Sequence, residues 1–250
     1  MQLLLTLAFL FFLGATLGWV LELFFRKIFG DKKWVNPGFL HGPYLPIYGL
    51  GLDVLFLLCR VNLSFIPYFW AEALLRILMM GLAMTAIEYI GGLIFIKGMK
   101  IELWDYSQFW GNVQGIICPL FSLIWTTVGA IYYLLLDQIF FHSVEWLWNN
   151  LAFSFVVGLF FGIFFVDLFQ TIQVATRIKA FAEEHKIVVR YEKLKGDIQD
   201  RIKEMQKKIN FIFPFKTPAP LENFLNKYFK KEKQERAKEE AEQEENEKER

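Results

Sequence analysis

Two carboxylates stand where a membrane helix ordinarily carries none. Glu22 lies near the end of the apolar run Leu3–Phe25, and Glu88 lies inside the run Tyr68–Ile96. A charge at the bilayer centre costs about 2.5–3.5 kcal/mol on insertion scales, so such a residue faces a cavity or a partner. Around them the chain sets an imidazole, phenols, amides and a hydroxyl: Asn36, His41, Tyr44 and Tyr48, then Trp104, Asp105, Tyr106 and Ser107, then Asn112. These eleven residues form the candidate polar site. They could supply acid/base and hydrogen-bonding groups to a lipid headgroup or a polar solute. Glu22 also has a purely structural partner in Arg26 at i+4, whereas Glu88 has no base nearby in sequence. His41 lacks a second ligand at helical spacing, so neither a metal nor a cofactor is expected; a proton relay from His41 to Glu22 or Glu88 is the chemistry left to it. No nucleophile–base pair can be assembled. G-x-x-x-x-G-K-[ST], H-E-x-x-H, G-x-S-x-G and paired-cysteine zinc patterns are all absent from the sequence.

The segment Asn36–Gly51 holds three prolines, four glycines and two tyrosines between two apolar runs. Proline removes a backbone donor and glycine weakens the helix, so an ordinary spanning helix is excluded here. At membrane depth such a backbone is tolerated only where protein buries it or where it lines a wet cavity.

The surrounding composition is that of a membrane domain. Of 250 residues, 55% are hydrophobic and 18% aromatic, with 28 Phe and 8 Trp; this suits lipid contact and interfacial belts. The net charge of +1 conceals a division. Residues 173–250 hold 19 of the 27 Lys+Arg and 16 of the 26 Asp+Glu. The expected organisation is a transmembrane domain over 1–172, an amphipathic cytoplasmic helix over 173–213, and a short interfacial helix with a charged low-complexity tail over 214–250. The stripe Ile187, Tyr191, Leu194, Ile198, Ile202, Met205, Ile209 and Ile212 recurs at helical spacing. No cleavable signal is expected, because no basic region precedes the first apolar run.

A spanning helix needs about 20 apolar residues. Leu3–Phe25, Tyr68–Ile96, Gly111–Leu136 and Trp146–Gln170 meet that length, and Pro46–Leu58 meets it if Phe39–Tyr44 is counted. Basic residues follow the first, third and fifth runs, and the loop between Asp137 and Glu145 has none. The fold expected is an all-α integral membrane protein of about five spans, N-terminus outside and tail inside, with a broken second span; a re-entrant Phe39–Leu58 would leave four. In that orientation all the candidate site residues gather at the cytoplasmic face. Asn112, Gly115, Cys118, Ser122 and Trp125 would share one face of the fourth span. Gly14-x-x-x-Gly18 and Gly158-x-x-x-Gly162 read as helix-packing motifs. Cys59 and Cys118 fall at opposite ends and should not bridge. Glu72 pairs with Arg76, Asp53 could reach Arg76, and Asp167 is expected to reach toward water at the inner end.

Gly18-Trp19…Glu22, Asn36-x-Gly38-Phe39-Leu40-x-Gly42-Pro43-x-x-Pro46-Ile47-Tyr48-Gly49, Glu88-Tyr89…Gly92, Trp104-Asp105-Tyr106-Ser107 and Asn112-x-x-Gly115 form an ordered series. From about Gly14 to Trp125 the chain resembles the bacterial membrane proteins labelled "putative ABC-transporter type IV", of CmpB type and permease-like. The resemblance implies a multi-pass protein of the bacterial plasma membrane and a transport-associated function. It implies a separate ATP-binding subunit, since this sequence has no nucleotide-binding loop, and a homodimer or partner permease, since five spans are few. Membrane lipids are the other expected partner; nucleic acid is not one. Two further readings come from the residues alone. One is a lipid-modifying enzyme or lipid binder at the cytoplasmic leaflet; the other is a scaffold that recruits a partner through its tail.

Overall fold

The computed structural model describes residues 2–29, 36–184, 188–191 and 193–194; most of the amphipathic stripe and the charged tail lie outside them. The chain is mostly helical. Helix α1 (Gln2–Phe29) is followed by α2 (Pro46–Cys59), α3 (Phe69–Leu93), α4 (Pro119–Ile131), α5 (Asp137–Asn149) and α6 (Ser154–Glu184). Wider-wound π segments, Ile94–Gly98 and Tyr132–Leu136, extend α3 and join α4 to α5. Four helical stretches are long and apolar enough to cross a membrane: Gln2–Ile28, Phe69–Gly98, Pro119–Asn149 and Leu151–Glu184. At 14 residues, α2 is a shorter apolar helix and measures about 21 Å against a hydrocarbon core of about 30 Å.

The short α2 follows from the residues before it. Pro46 starts the helix, where its missing N–H costs nothing, and Leu45 before it is extended. The Leu45 N–H donates to the carbonyl of Ala15 at 2.9 Å. Ala15 is the midpoint of α1 and fully buried, so α2 begins halfway along α1, and the non-helical Asn36–Leu45 segment precedes it at that depth. Glycines allow the two helices to approach. A Cβ on Gly14 would meet Leu52 and the Tyr48 carbonyl, and one on Gly18 would overlap the Tyr48 side chain. Gly158 and Gly162, at the same spacing on α6, have nothing within 4 Å of an added Cβ.

The bundle has two ends. At the near end α1 finishes, α2 and α4 begin, and α3 and α6 finish; the far end holds the other termini. The main core, around Leu10, Leu55, Met80, Tyr132, Leu147 and Val157, fills the bundle toward the far end. Arg76 closes that end by donating to the carbonyls of Leu58, Cys59 and Val61 at 2.6, 2.9 and 3.2 Å, while pairing with Glu72 at 2.7 Å. The contact with Asp53 that the sequence left open does not form; carbonyls at the C-terminal end of α2 take the Arg76 donors. Cys59 and Cys118 are both free. At the near end, β1 (Ile101–Glu102) pairs in parallel with β2 (Val189–Arg190). Ile101 and Val189 pack there with Ile178 and Ala182, beyond the polar section of α6. Helix α6 itself passes through residues 172 and 173 without a break.

Two expected boundaries are corrected. The fourth span begins at Pro119 rather than Gly111, so Asn112 and Gly115 share no helix face with Ser122 and Trp125. Gly111, Gln114 and Gly115 have φ of +68°, +57° and +68°, which no right-handed helix accommodates. The break expected between Asp137 and Glu145 comes later, at Asn150 (φ −132°, ψ 55°). No glycine or proline interrupts 137–149, and Val144 and Leu147 bury one face of α5.

These contacts predict opposite outcomes at the two small-residue motifs. Gly18→Ala should lower stability by about 1–3 kcal/mol through overpacking against Tyr48. Gly158→Ala, entering open space, should be neutral or gain up to about 1 kcal/mol from helix propensity. Thermal unfolding of the detergent-solubilised protein measures both.

Candidate functional site

The near-end polar residues divide into two groups, one on each side of the Asn36–Leu45 segment. The first lies between α1, α2, α3 and α4. Glu22 is ion-paired with Arg26 at 2.9 Å and accepts the Tyr48 hydroxyl at 2.9 Å. The Tyr48 ring meets the Trp125 indole edge-on, with centroids 6.0 Å apart. Trp125 turns toward Glu88. Glu88 is buried, at 4% exposure, and its Oε1 accepts the Tyr106 hydroxyl at 3.0 Å. The second oxygen of Glu88 and the Trp125 Nε1 are both buried without a hydrogen-bond partner.

A self-knotted loop positions Tyr106. Asn112 Nδ2 donates to the carbonyls of Ser107 and Phe109, and its Oδ1 accepts the Gly115 N–H. Asp105 accepts the Ser107 N–H at 2.8 Å, and Trp104 Nε1 donates to the Ile116 carbonyl at 2.9 Å. The Tyr106 ring stacks on Phe121 with centroids 4.1 Å apart. Thus Trp104, Asp105, Ser107 and Asn112 shape the loop, and Tyr106 alone of the five reaches a buried carboxylate. Burial pushes the Tyr106 phenol above its ordinary range, so it stays a hydrogen-bond donor to Glu88.

The second group centres on Asp167 of α6. Its Oδ1 accepts the His41 N–H at 3.2 Å and the Thr171 hydroxyl at 3.1 Å, and it lies 2.9 Å from His41 Nδ1. Its Oδ2 accepts the Gly42 N–H at 2.8 Å and the Tyr44 hydroxyl at 2.6 Å. On the other flank, Asn36 accepts from Trp19 Nε1 and the Gly38 N–H, and donates to the carbonyls of Leu40 and His41. These two side chains take up five backbone groups of the segment that leaves helical geometry here. Three sequence expectations change. Asp167 does not reach for water; it is 8% exposed and enclosed by donors. His41 pairs with Asp167 and not with Glu22 or Glu88, because the Gly42-Pro43 bend turns it toward α6. Tyr44 joins the same group and lies apart from Tyr48. Sequence alone offered one signal for Asp167, a carboxylate inside a long apolar run.

Beside Asp167 a groove of about 880 Å³ runs along α6, floored by Gly158 and Gly162 and ending at His41 and Gln170. It opens onto the outside of the bundle. Its apolar walls include Phe155 and Ile163, both largely exposed.

Four apolar helices of spanning length, with buried carboxylates beside a broken short helix, define a polytopic helical membrane protein. The sequence profile of the family described as "Putative ABC-transporter type IV" matches residues 9–172, and the chain belongs to that family. No curated protein and no solved structure matches it.

Asp167 provides the sharpest test of this geometry. Asp167→Ala should cost about 3 kcal/mol or more, since it strands several donors at once. Tyr44→Phe, which removes one hydroxyl, should cost only about 1–2 kcal/mol. Amide hydrogen exchange over residues 38–46 should accelerate strongly in the first variant and slightly in the second.

Proposed function

We propose that this chain is the membrane-spanning component of a transport system in the bacterial plasma membrane, with its polar site facing the cytoplasm. The observation that carries this reading is the interrupted second crossing. A half-length helix preceded by irregular backbone, with carboxylates beside it, is the way helical transporters build sites within the bilayer. Counting α2, which takes the chain from the near end to the far end, as a crossing supports five crossings with the N-terminus outside and α6 ending inside. The basic residues after α1 and α3 support that orientation. Glu22, Tyr48, Glu88, Tyr106 and Trp125 line the solute site; Asn36, His41 and Tyr44 hold the irregular backbone, and the Trp104–Asn112 loop covers the near end. ATP hydrolysis is supplied by a separate subunit docked on that face.

The packed far half favours a second reading as well. Arg76, Arg60 and the main core leave the polar group open, at most, toward the near end. A one-sided site of that kind suits a protein that binds a lipid headgroup in the cytoplasmic leaflet. As a transporter, the chain is then closed outward in this conformation and completes its path by rearrangement or with a second copy.

Purification from native membranes in nanodiscs, with mass spectrometry of what is retained, separates the two. Transport predicts a stoichiometric ATPase subunit; the lipid reading predicts a retained lipid and no ATPase. Impermeant thiol labelling, in a background where Cys59 and Cys118 are replaced, should modify Asn62→Cys from outside the cell and Trp110→Cys only from inside.

A further inference from the structure

Glu88 is the buried carboxyl that the fold leaves incomplete. One oxygen takes the Tyr106 hydroxyl; the other makes no hydrogen bond of ordinary geometry, and the Trp125 Nε1, which makes none either, is the one further donor turned toward the carboxyl. The titratable groups around it are Tyr106 from the loop and Tyr48 from α2; Cys118, at the start of α4, faces Tyr106, and Glu22 from α1 lies beyond Tyr48. Glu22 already has Arg26 as its counter-charge, and no described Lys, Arg or His pairs with Glu88. An ionised carboxylate enclosed without a cation, with one oxygen unbonded, bears a far larger desolvation penalty than a neutral carboxylic acid with one O–H unmet. Asp167 makes the contrast: donors surround both of its oxygens. Glu88 has no such shell.

We propose that Glu88 is a proton-exchange site, holding its proton while enclosed and passing it to near-end water along the side where Tyr48 leads to Glu22. In the step the carboxyl O–H bond breaks, the electron pair stays on the carboxylate and the proton goes to water; nothing is oxidised or reduced. Tyr48 lies within electrostatic reach of both carboxylates and donates to Glu22, and Arg26 beyond it marks the near-end boundary. Proton binding stands on this buried cluster, whereas its coupling to solute movement rests on the transport reading.

Infrared difference spectroscopy of the full chain in nanodiscs, across a pH series, tests it with the proton as the probe. A protonated-carboxyl carbonyl band should appear and should fade reversibly as pH rises. Carboxyl-13C glutamate should shift it, which separates Glu88 from Asp53, a half-buried acid that also has an unpartnered oxygen. Glu88→Gln should abolish the band, whereas Glu22→Gln, on the exit side, should keep the band and shift only its midpoint or its rate of exchange. Should Glu88→Gln fail to fold, Tyr106→Phe is the second readout: loss of its hydrogen bond should move the midpoint upward. A band missing from the wild type, indifferent to pH, or unchanged in both Glu88→Gln and Tyr106→Phe overturns the proposal. ATPase retention is read on a different sample, so failure of the transport reading and failure of the proton site are told apart.

Discussion

A backbone that leaves helical geometry inside a bilayer must find every hydrogen bond within the protein, and this requirement organises the near half of the molecule. Asn36–Leu45 answers it in part with two side chains and in part with backbone bonds such as Tyr44 N–H to the Gly42 carbonyl. Asn36 closes the segment on itself, and Asp167 receives N–H groups from His41 and Gly42 across the bundle. The Leu45 bond to Ala15 then sets the depth at which α2 can start. Helix α2 is short because the chain has already descended half of α1 before Pro46 permits a helix.

That depth determines which residues meet. With α2 starting beside Ala15, Tyr48 falls against Gly18, and only a residue without a side chain lets the ring pass toward Glu22. The same logic places Ile116 against Gly92, one turn beyond Glu88, so the loop comes down close enough for Tyr106 to reach the carboxylate. Small residues in the helices therefore serve polar contacts as much as apolar ones. The open Gly158-x-x-x-Gly162 stripe shows that spacing alone does not assign such a role: the motif is the same, and the neighbour is missing.

The two ends answer different demands. At the far end arginines spend their donors on helix carbonyls and nearby carboxylates, and aromatic and aliphatic packing fills the space. The near end instead gathers carboxylates, phenols and irregular backbone, and ties them through Phe39 and Tyr191 to the small layer formed by β1, β2 and the end of α6. A change in the chain after α6 thus has a direct physical route to the Asn36–Leu45 segment, through the Tyr191 hydroxyl on the Phe39 carbonyl.

Much of this was legible from the residues. Apolar runs, the charge division and the Pro/Gly segment each report local physics: transfer to lipid, charge at an interface, lost helix hydrogen bonds. They located the apolar helices, the interruption before α2 and the exceptional carboxylates. Pairings such as Glu22 with Arg26 and Glu72 with Arg76 were also visible, because helical spacing alone brings them together. The start of α4 departs from the sequence pattern because Asn112 and Gly115 fit a helical period, while the left-handed turns at Gly111, Gln114 and Gly115 depend on loop bonds that periodicity does not encode. Partner choice belonged to the tertiary structure. His41 meets Asp167 across 126 residues of sequence, and Glu88 meets a loop tyrosine. Which of several buried carboxylates receives a full shell of donors depends on how helices pack and at what depth a broken one begins.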